Sequence, residues 1–306
     1  MTSPRLVSMS ERAVFNLVPE IALIESLPAH LQKRFAHALQ LMHERLVENL
    51  SWEQIALQSA ISPYHFHRQF SELFNETPGQ YLGRLRLQVA VNLLLSDSAW
   101  SVMDIAQHCG YSSSQALGKA LKRELGVTAK YIRQIGKEYT PQQTADFIAK
   151  LAHPGEQQAL ETTLANAMPI ELVWYPKRGM KKLRQADADW DSVFATYGKK
   201  SERLMGATPI LHTDKRWDQI ETVIGDWQIS DARHDFTVPE GYYLCADVYL
   251  VSDVGYSAAL EALFSAAKQR ELTIDRSSYL IEMVRDIELE ATGGVVISFQ
   301  LPIMLE

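Results

Sequence analysis

The chain carries one pattern twice, with Ile55-Ala56 and Ile105-Ala106 at matching positions 50 residues apart. The first copy runs Trp52-Glu53-Gln54-Ile55-Ala56-Leu57-Gln58-Ser59-Ala60-Ile61-Ser62 and continues Pro63-Tyr64-His65-Phe66-His67-Arg68-Gln69-Phe70. The second runs Val102-Met103-Asp104-Ile105-Ala106-Gln107-His108-Cys109-Gly110-Tyr111-Ser112 and continues from Ser113 to Leu121. In each copy a short amphipathic segment meets a turn of small residues, and a Ser-rich stretch then opens a second apolar period of helical spacing. A helix, a tight turn and a second helix make a helix-turn-helix, here expected twice.

The second helix of such a unit enters the DNA major groove, where its early residues reach base edges. The candidate DNA-contacting residues are therefore Ser62, Tyr64, His67 and Arg68 in the first unit and Ser113, Ser114, Gln115, Lys119 and Lys122 in the second. Tyr64, His67 and Arg68 are spaced by three and four, so they share one helix face, which is also how an ordinary solvated face looks. Charge is distributed to suit a nucleic-acid partner. The net charge is −7, yet residues 30–137 hold twelve Lys/Arg against eight Asp/Glu, a balance of +4 that leaves −11 elsewhere. The positive field sits in the N-terminal half, and the acidic remainder repels DNA and attracts cations.

Length and patterning predict two domains, an all-α one with two helix-turn-helix units and an α+β one. Residues 1–29, with Pro4, Pro19 and Pro28, read as an extension with no assigned chemistry. Within residues 30–137, Phe35, Leu39, Met42 and Leu46 predict a supporting helix. A long connecting helix is expected from Pro78 to about Leu95, with Leu82, Leu85, Val89 and Leu93 facing inward and Arg84, Arg86 and Gln88 elsewhere. A short closing helix follows Gly126. Residues 138–166, broken by Pro141 and Pro154-Gly155, read as a linker with one or two helical turns. From 167 to 306 the texture changes: strand 170–175, helix 190–204, strands 209–212 and 220–229, then strand 242–251, helix 256–270, strands 278–284 and 294–301. Strand-helix-strand-strand, twice over, predicts an internal duplication.

Within the strand at 278–284, Glu282 shares a face with Leu280 and Val284. A carboxylate on an apolar face is costly unless a cation or a donor meets it, so Glu282 is either a ligand anchor or half of an internal ion pair. Trp174, Trp190, Trp217, Trp227, Tyr243 and Tyr279 offer ring faces to a flat cation, and equally fill cores.

Residues 30–137 resemble the AraC/XylS-type DNA-binding domain. The match rests on Ile105-Ala106, on Cys109-Gly110-Tyr111-Ser112, on Phe66, Arg68 and Phe70, and on Gly126-Val127-Thr128 followed by Tyr131 and Arg133. Residues 168–305 resemble the gyrase-inhibitor-like effector-binding domain through the setting Tyr279-Leu280-Ile281-Glu282. These resemblances imply a transcription regulator with double-stranded DNA as partner, a small cationic or amphipathic effector held by Glu282, Trp174, Tyr243 and Tyr279, and a possible contact with RNA polymerase. The second unit departs from the family, since Ala116-Leu117-Gly118-Lys119-Ala120-Leu121 stands where a larger aromatic, an Arg and a Phe are usual. Gly118 inside the helix costs about 1 kcal/mol relative to Ala, and Lys119 lacks the planar fork that pairs with guanine. The first unit is thus the better candidate for reading sequence.

Two cysteines, Cys109 and Cys245, fall one in each expected domain, so no disulfide framework is expected. Six of nine histidines lie in residues 30–137, but His65 and His67 at i, i+2 point apart, against a metal pair. No cofactor, membrane span or catalytic constellation is expected, and a cytoplasmic address follows. Two rivals remain at this stage: a Glu282-dependent hydrolase fused to the DNA-binding domain, and an acidic protein-binding module.

Overall fold

A computed structural model describes residues 12–48, 50–96, 100–184, 190–288 and 293–305. The chain divides into two compact units. One comprises Pro19–Glu161 with Arg216–Asp218; the other takes the chain up to Val18, Thr162–Lys215 and the remainder from Gln219. Among the described residues no helix is long and apolar enough to cross a membrane.

The helical unit runs α1 (Pro19–Ile24), α2 (Ala29–Glu44), α3 (Trp52–Gln58), α4 (Pro63–Phe74), α5 (Pro78–Leu95), α6 (Val102–His108), α7 (Ser114–Leu125), α8 (Ala129–Glu138) and α9 (Pro141–Ile148), and α10 (Leu160–Asn166) spans the boundary. Side-chain caps fix where helices start. Ser51, Ser62, Thr77, Ser101, Ser113, Thr128 and Thr140 each accept a backbone N–H three residues on. At Ser51, Thr77, Ser101 and Thr140 the N3 side chain returns the bond, closing a capping box. Each helix pair turns through a left-handed residue, Ala60 at φ 55° in the first copy and Gly110 at φ 75° in the second. The two second helices also end alike, on left-handed Asn75 and Gly126.

The core of the first copy is aromatic. Phe35, Phe66, Phe70, Phe74 and Tyr81 are wholly buried, with Phe70 and Phe74 stacked at 4.2 Å between ring centroids. Helix α5 is buried on more sides than one stripe: Leu82, Leu85, Leu87, Ala90, Val91 and Leu94 are inside, whereas Val89 and Leu93 are half-buried. Arg84 does not point away as expected. It forks onto Glu76, and with Gln88 it donates to the Leu151 carbonyl. Of the expected linker 138–166, the part to Glu161 falls in the helical unit, and the Leu151 carbonyl of the turn at 149–151 is held by α5. The sequence reading missed this because Pro141 is an N1 residue here, opening a helix instead of breaking one.

The second unit is built on one large sheet with strands β1 (Phe15–Asn16), β2 (Glu171–Tyr175), β3 (Arg178–Lys182), β4 (Leu204–Pro209), β5 (Val223–Asp226), β6 (Phe236–Val238), β7 (Gly241–Leu250), β8 (Thr273–Ile274), β9 (Tyr279–Ile287) and β10 (Val295–Met304). Their order is β1-β7-β10-β9-β4-β5-β3-β6, with β2 also on β7 and β8 on β10. Helices α11 (Trp190–Tyr197) and α12 (Asp253–Gln269) complete it. Leu244, Ala246, Val248, Leu280, Val284, Ile297 and Phe299 join Ala259 and Leu263 of α12 in one core. The alternate residues Tyr243, Cys245, Ile281 and Met283 join Val173, Tyr175, Met180 and Met205 in another on the opposite sheet face.

Two expectations are corrected here. Residues 209–212 were expected as a strand, but the strand is Leu204–Pro209 and Ile210–His212 is a 3-10 turn. Leu204-Met205-Gly206-Ala207 is buried on both faces and so shows no strand-like alternation, which let the helical spacing from Trp190 run on into it. The N-terminal extension is also divided: Phe15–Asn16 pair in parallel with Val248–Tyr249, whereas Pro19 onward belongs to the helical unit.

Candidate nucleic-acid interface and ligand site

Helix α4 presents a polar face beside a shallow surface groove lined by Trp52, Tyr64, His67, Arg68, Ser71 and Glu72. The Ser62 hydroxyl accepts the His65 N–H and so fixes the helix start, while its own O–H is left to donate from the exposed surface. Tyr64 follows at the second helical position and is 80% exposed, a large ring with no packing role. Arg68 is exposed too, and its Nε lies 3.9 Å from Glu72 Oε1, an i, i+4 pair that water screens and a DNA phosphate or base edge would outcompete. His67 turns onto Trp52, the ring centroids 5.1 Å apart, so it braces α3 against α4 while lining the same groove as Tyr64 and Arg68.

Helix α7 repeats the design with different chemistry. Ser113 caps it by accepting from Ala116 N, while Gln115 and Lys119 are exposed and Ser114 is half-buried. Lys122 is bent back on its own helix end, donating to the Gly126 carbonyl at 2.7 Å, where a cation also suits the helix dipole. A Cβ built at Gly118 meets no atom within 4 Å, so packing does not require glycine there. The first turns of α7 thus expose an amide and an ammonium, Gln115 and Lys119, with Arg123 exposed beside Glu124 further along, against a ring and a guanidinium early on α4.

The four effector-site candidates do not converge. Glu282 faces the helix side of the sheet, with Leu280 and Val284. Tyr243 is packed in the core of the opposite face, with Tyr279 against it. Trp174 is half-buried on β2 and pairs in register with Tyr242. What surrounds Glu282 instead are Tyr256 of α12, whose hydroxyl donates to Glu282 Oε1, and Trp190 of α11. Trp190 lies against Gly206, the strand neighbour of Glu282, where a Cβ would stand 2.9 Å from indole Cζ2. Burial raises the Glu282 carboxyl above its ordinary value, against the lowering by Tyr256 and Trp190. The indole is near enough to favour the charge, but its Nε1 makes no hydrogen bond of full geometry. The ion pairs among the described residues do not include Glu282, so of the two sequence readings the internal ion pair loses its partner. Tyr256 was missed because its place on α12 looks like any amphipathic position.

A second buried polar cluster lies in the helical unit. His153 is held by two carboxylates, Nε2 2.8 Å from Glu20 and Nδ1 2.7 Å from Glu161, and Tyr81 donates to the same Glu20 oxygen at 2.8 Å. Burial disfavours the imidazolium, but the two acids outweigh it and raise His153 to about 9. Burial likewise opposes the Glu20 carboxylate, and His153 overrides it and holds the acid well below its ordinary range.

The fold and surface of the helical unit define a double helix-turn-helix, and residues 55–135 match the family model described as a helix-turn-helix domain. The resemblance to AraC/XylS-type regulators is supported over that segment. Among curated proteins, the chain is 37% identical over 93 residues to the HTH-type transcriptional activator RhaS of Escherichia coli O157:H7 (strain EC4115 / EHEC), covering 30% of this chain and 33% of that one. RhaS of Escherichia fergusonii is 38% identical over 101 residues, covering 33% and 36%. The chain thus spans about a third of the length of the curated relatives it matches. A solved transcriptional regulator with an AraC-type DNA-binding domain from Chromobacterium violaceum is 27% identical, covers 36% of this chain and 96% of that one, and has a TM-score of 0.33.

Proposed function

We propose that this chain is a sequence-specific DNA-binding transcription regulator whose sheet-rich unit binds a small cationic or amphipathic effector. The observation that carries the first part is the pair of Ser-capped second helices with exposed polar faces, Tyr64 and Arg68 on α4 and Gln115 and Lys119 on α7. Arg68 supplies the planar fork that pairs with guanine, and Lys119 supplies a point charge for phosphate. The two units are unlike, so the bound site is asymmetric, with segments about 34 Å apart. A regulator of this kind works in the cytoplasm, where it has access to the chromosome, and contact with RNA polymerase belongs to the same reading.

The effector part rests on Glu282, a buried carboxylate met by a neutral hydroxyl and an indole. A cation stacked on Trp190 would supply the missing charge. Sheet pairing supports the gyrase-inhibitor-like reading: β3-α11-β4-β5 and β7-α12-β9-β10 each pair their first strand with their last, and the two halves meet at β4 and β9. On this reading the duplicated unit is counted from β3, one strand later than the sequence suggests.

Selection of bound DNA from a random pool by the full chain tests the first part. One asymmetric motif in two segments is expected, and no enrichment would overturn it. Tetraphenylphosphonium titrated into the full chain tests the second, with binding expected and lost in Glu282→Gln.

A further inference from the structure

The sheet face opposite Glu282 carries a polar seam among apolar residues. Arg12 Nη2 donates to Asp247 Oδ1 at 2.8 Å and to Ser298 Oγ at 2.9 Å, and Arg12 Nη1 donates to the Tyr175 hydroxyl at 2.9 Å. Gln300 Nε2 continues the chain to Ser298 Oγ at 3.2 Å, while Gln300 Oε1 accepts from Arg178 Nη1 at 2.6 Å. The Arg178 guanidinium lies over two rings, 4.1 Å from the Tyr175 centroid and 5.0 Å from that of Tyr243, with Met283 Sδ 4.0 Å from Nη1.

Charge does not balance along this seam. Asp247 is matched by Arg12, both almost fully buried. No ion pair among the described residues serves Arg178. The neighbouring acids of last resort stay protonated, since burial pushes the Cys245 thiol up to about 11 and the Tyr175 phenol up to about 12. One cation is left in excess, in a place where an unpaired charge is costly.

The unpaired part of Arg178 has a definite shape. Its Nε and Nη2 are buried and make no hydrogen bond of full geometry, although Tyr243 is near enough to favour the charge. Those two N–H groups form the side edge of the guanidinium fork, the edge that meets a carboxylate with two parallel bonds. Arg84 shows that edge in use: its Nε is 3.2 Å from both Glu76 carboxylate oxygens and its Nη2 is 2.5 Å from Oε1. At Arg178 the end of the fork is taken by Gln300, and no carboxylate meets the side edge.

We propose that Arg178 is the anchor of a second ligand site, where the side edge of its guanidinium binds the carboxylate of a small organic acid. The acid's body is apolar or aromatic, because the surrounding core is Met180, Met283, Tyr243 and Tyr175, with Phe236 and Tyr279 against it. Two charge-assisted bonds and the loss of the uncompensated charge then favour the bound state together. The site takes an anion where Glu282 takes a cation, and it stands whether or not that other reading holds.

Benzoate is the probe, titrated into the full chain by calorimetry and followed through the Arg178 Nε–Hε resonance assigned through bonds. Saturable binding and a displaced Nε–Hε signal are expected, with neither from the neutral benzamide. Arg178→Lys keeps the charge and loses the fork, and at least a tenfold weaker benzoate affinity is expected with an unchanged circular dichroism spectrum. If that variant does not fold, the benzoate and benzamide arms on the unaltered protein decide. No saturable binding, equal binding of benzamide, or benzoate that leaves Nε–Hε unmoved would overturn the site. Inorganic phosphate bound in place of benzoate would overturn its carboxylate character. The tetraphenylphosphonium titration reads Glu282 separately, so either site can fail alone.

Discussion

His153 Nε2 stands 2.8 Å from Glu20 Oε1, although the two residues are separated by 133 positions in the chain. With Glu161 on its other nitrogen, His153 ties α1 and the segment after α9 to the helix-turn-helix core through Tyr81. A histidine raised to about 9 is protonated in the fold at neutral pH. Its contribution is fully present below the unfolded value of about 6.5 and is lost as pH rises through 9. Glu20 adds the opposite limit: held low by His153, it stabilises above about 4.3 and its contribution is lost as pH falls below that. His153→Ala leaves two buried acids facing each other and is expected to cost about 3–5 kcal/mol. Urea unfolding at pH 7 and pH 10 checks both statements. If His153→Ala weakens with alkali as much as the unaltered protein, the pair is not the cause.

Glu282 carries the reverse sign. Burial lifts its folded value above the ordinary one, so its favourable contribution is present below about 4.3 and is lost as pH rises through the folded value. Glu282→Gln keeps an acceptor for Tyr256 and removes the buried charge, and its stability at pH 7 is expected to equal or exceed that of the unaltered protein. Tyr256→Phe removes the donor and is expected to cost about 1–3 kcal/mol. Thermal melts of the full chain at pH 5 and pH 7 separate the two. A Glu282→Gln chain that melts well below the unaltered one would make Glu282 a structural group.

The helical half was legible because its signals are local. Ser62 before Pro63 and the capping residues around Thr77 and Ser101 fix helix starts within a few positions, and the observed α5 is Pro78–Leu95, as expected. The surroundings of Glu282 and Arg178 were not legible, because they are made by strand order. Tyr279 is an odd number of residues from Glu282 on β9, so alternation alone sets it on the other face, whereas Tyr243 is placed there only by pairing across β7, β10 and β9. Arg12 and Arg178 gave no sequence signal, since their partners Asp247 and Gln300 lie more than a hundred residues away. Glu282 stood out by alternation, since a carboxylate between Leu280 and Val284 breaks a pattern that is otherwise apolar, and the ligand reading of it came from the family resemblance.

The two lysines of α7 are expected to differ on DNA. Lys119 is exposed on the face that follows Gln115, whereas Lys122 already closes the helix on the Gly126 carbonyl. Lys119→Ala should weaken binding alike on all sequences and reduce the salt slope of log K by about 1. Lys122→Ala should leave the slope unchanged and cost a few tenths to about 1 kcal/mol of stability through the helix end. Fluorescence anisotropy across a salt series measures the slopes. Equal slopes for both variants would place Lys122 on phosphate as well.

Two one-carbon changes in the repeated units should both stabilise, for opposite reasons. Gly118 lies inside α7 with open space around its missing Cβ, so Gly118→Ala loses no packing and removes unfolded-state freedom worth about 0.5–1 kcal/mol. Ala60 holds a left-handed turn at φ 55°, where its counterpart is Gly110. Relief of the roughly 1–2 kcal/mol left-handed cost exceeds the 0.5–1 kcal/mol of added glycine freedom, so Ala60→Gly gains up to about 1 kcal/mol. Denaturant midpoints of the free protein test both, and a loss in either would show that the position is constrained by something other than its backbone. On DNA the two should part: Ala60 sits in the turn, but Gly118 is on the second helix, four residues after Ser114. A methyl at 118 that raises stability and lowers affinity would mean that the bare backbone of α7 approaches the duplex there.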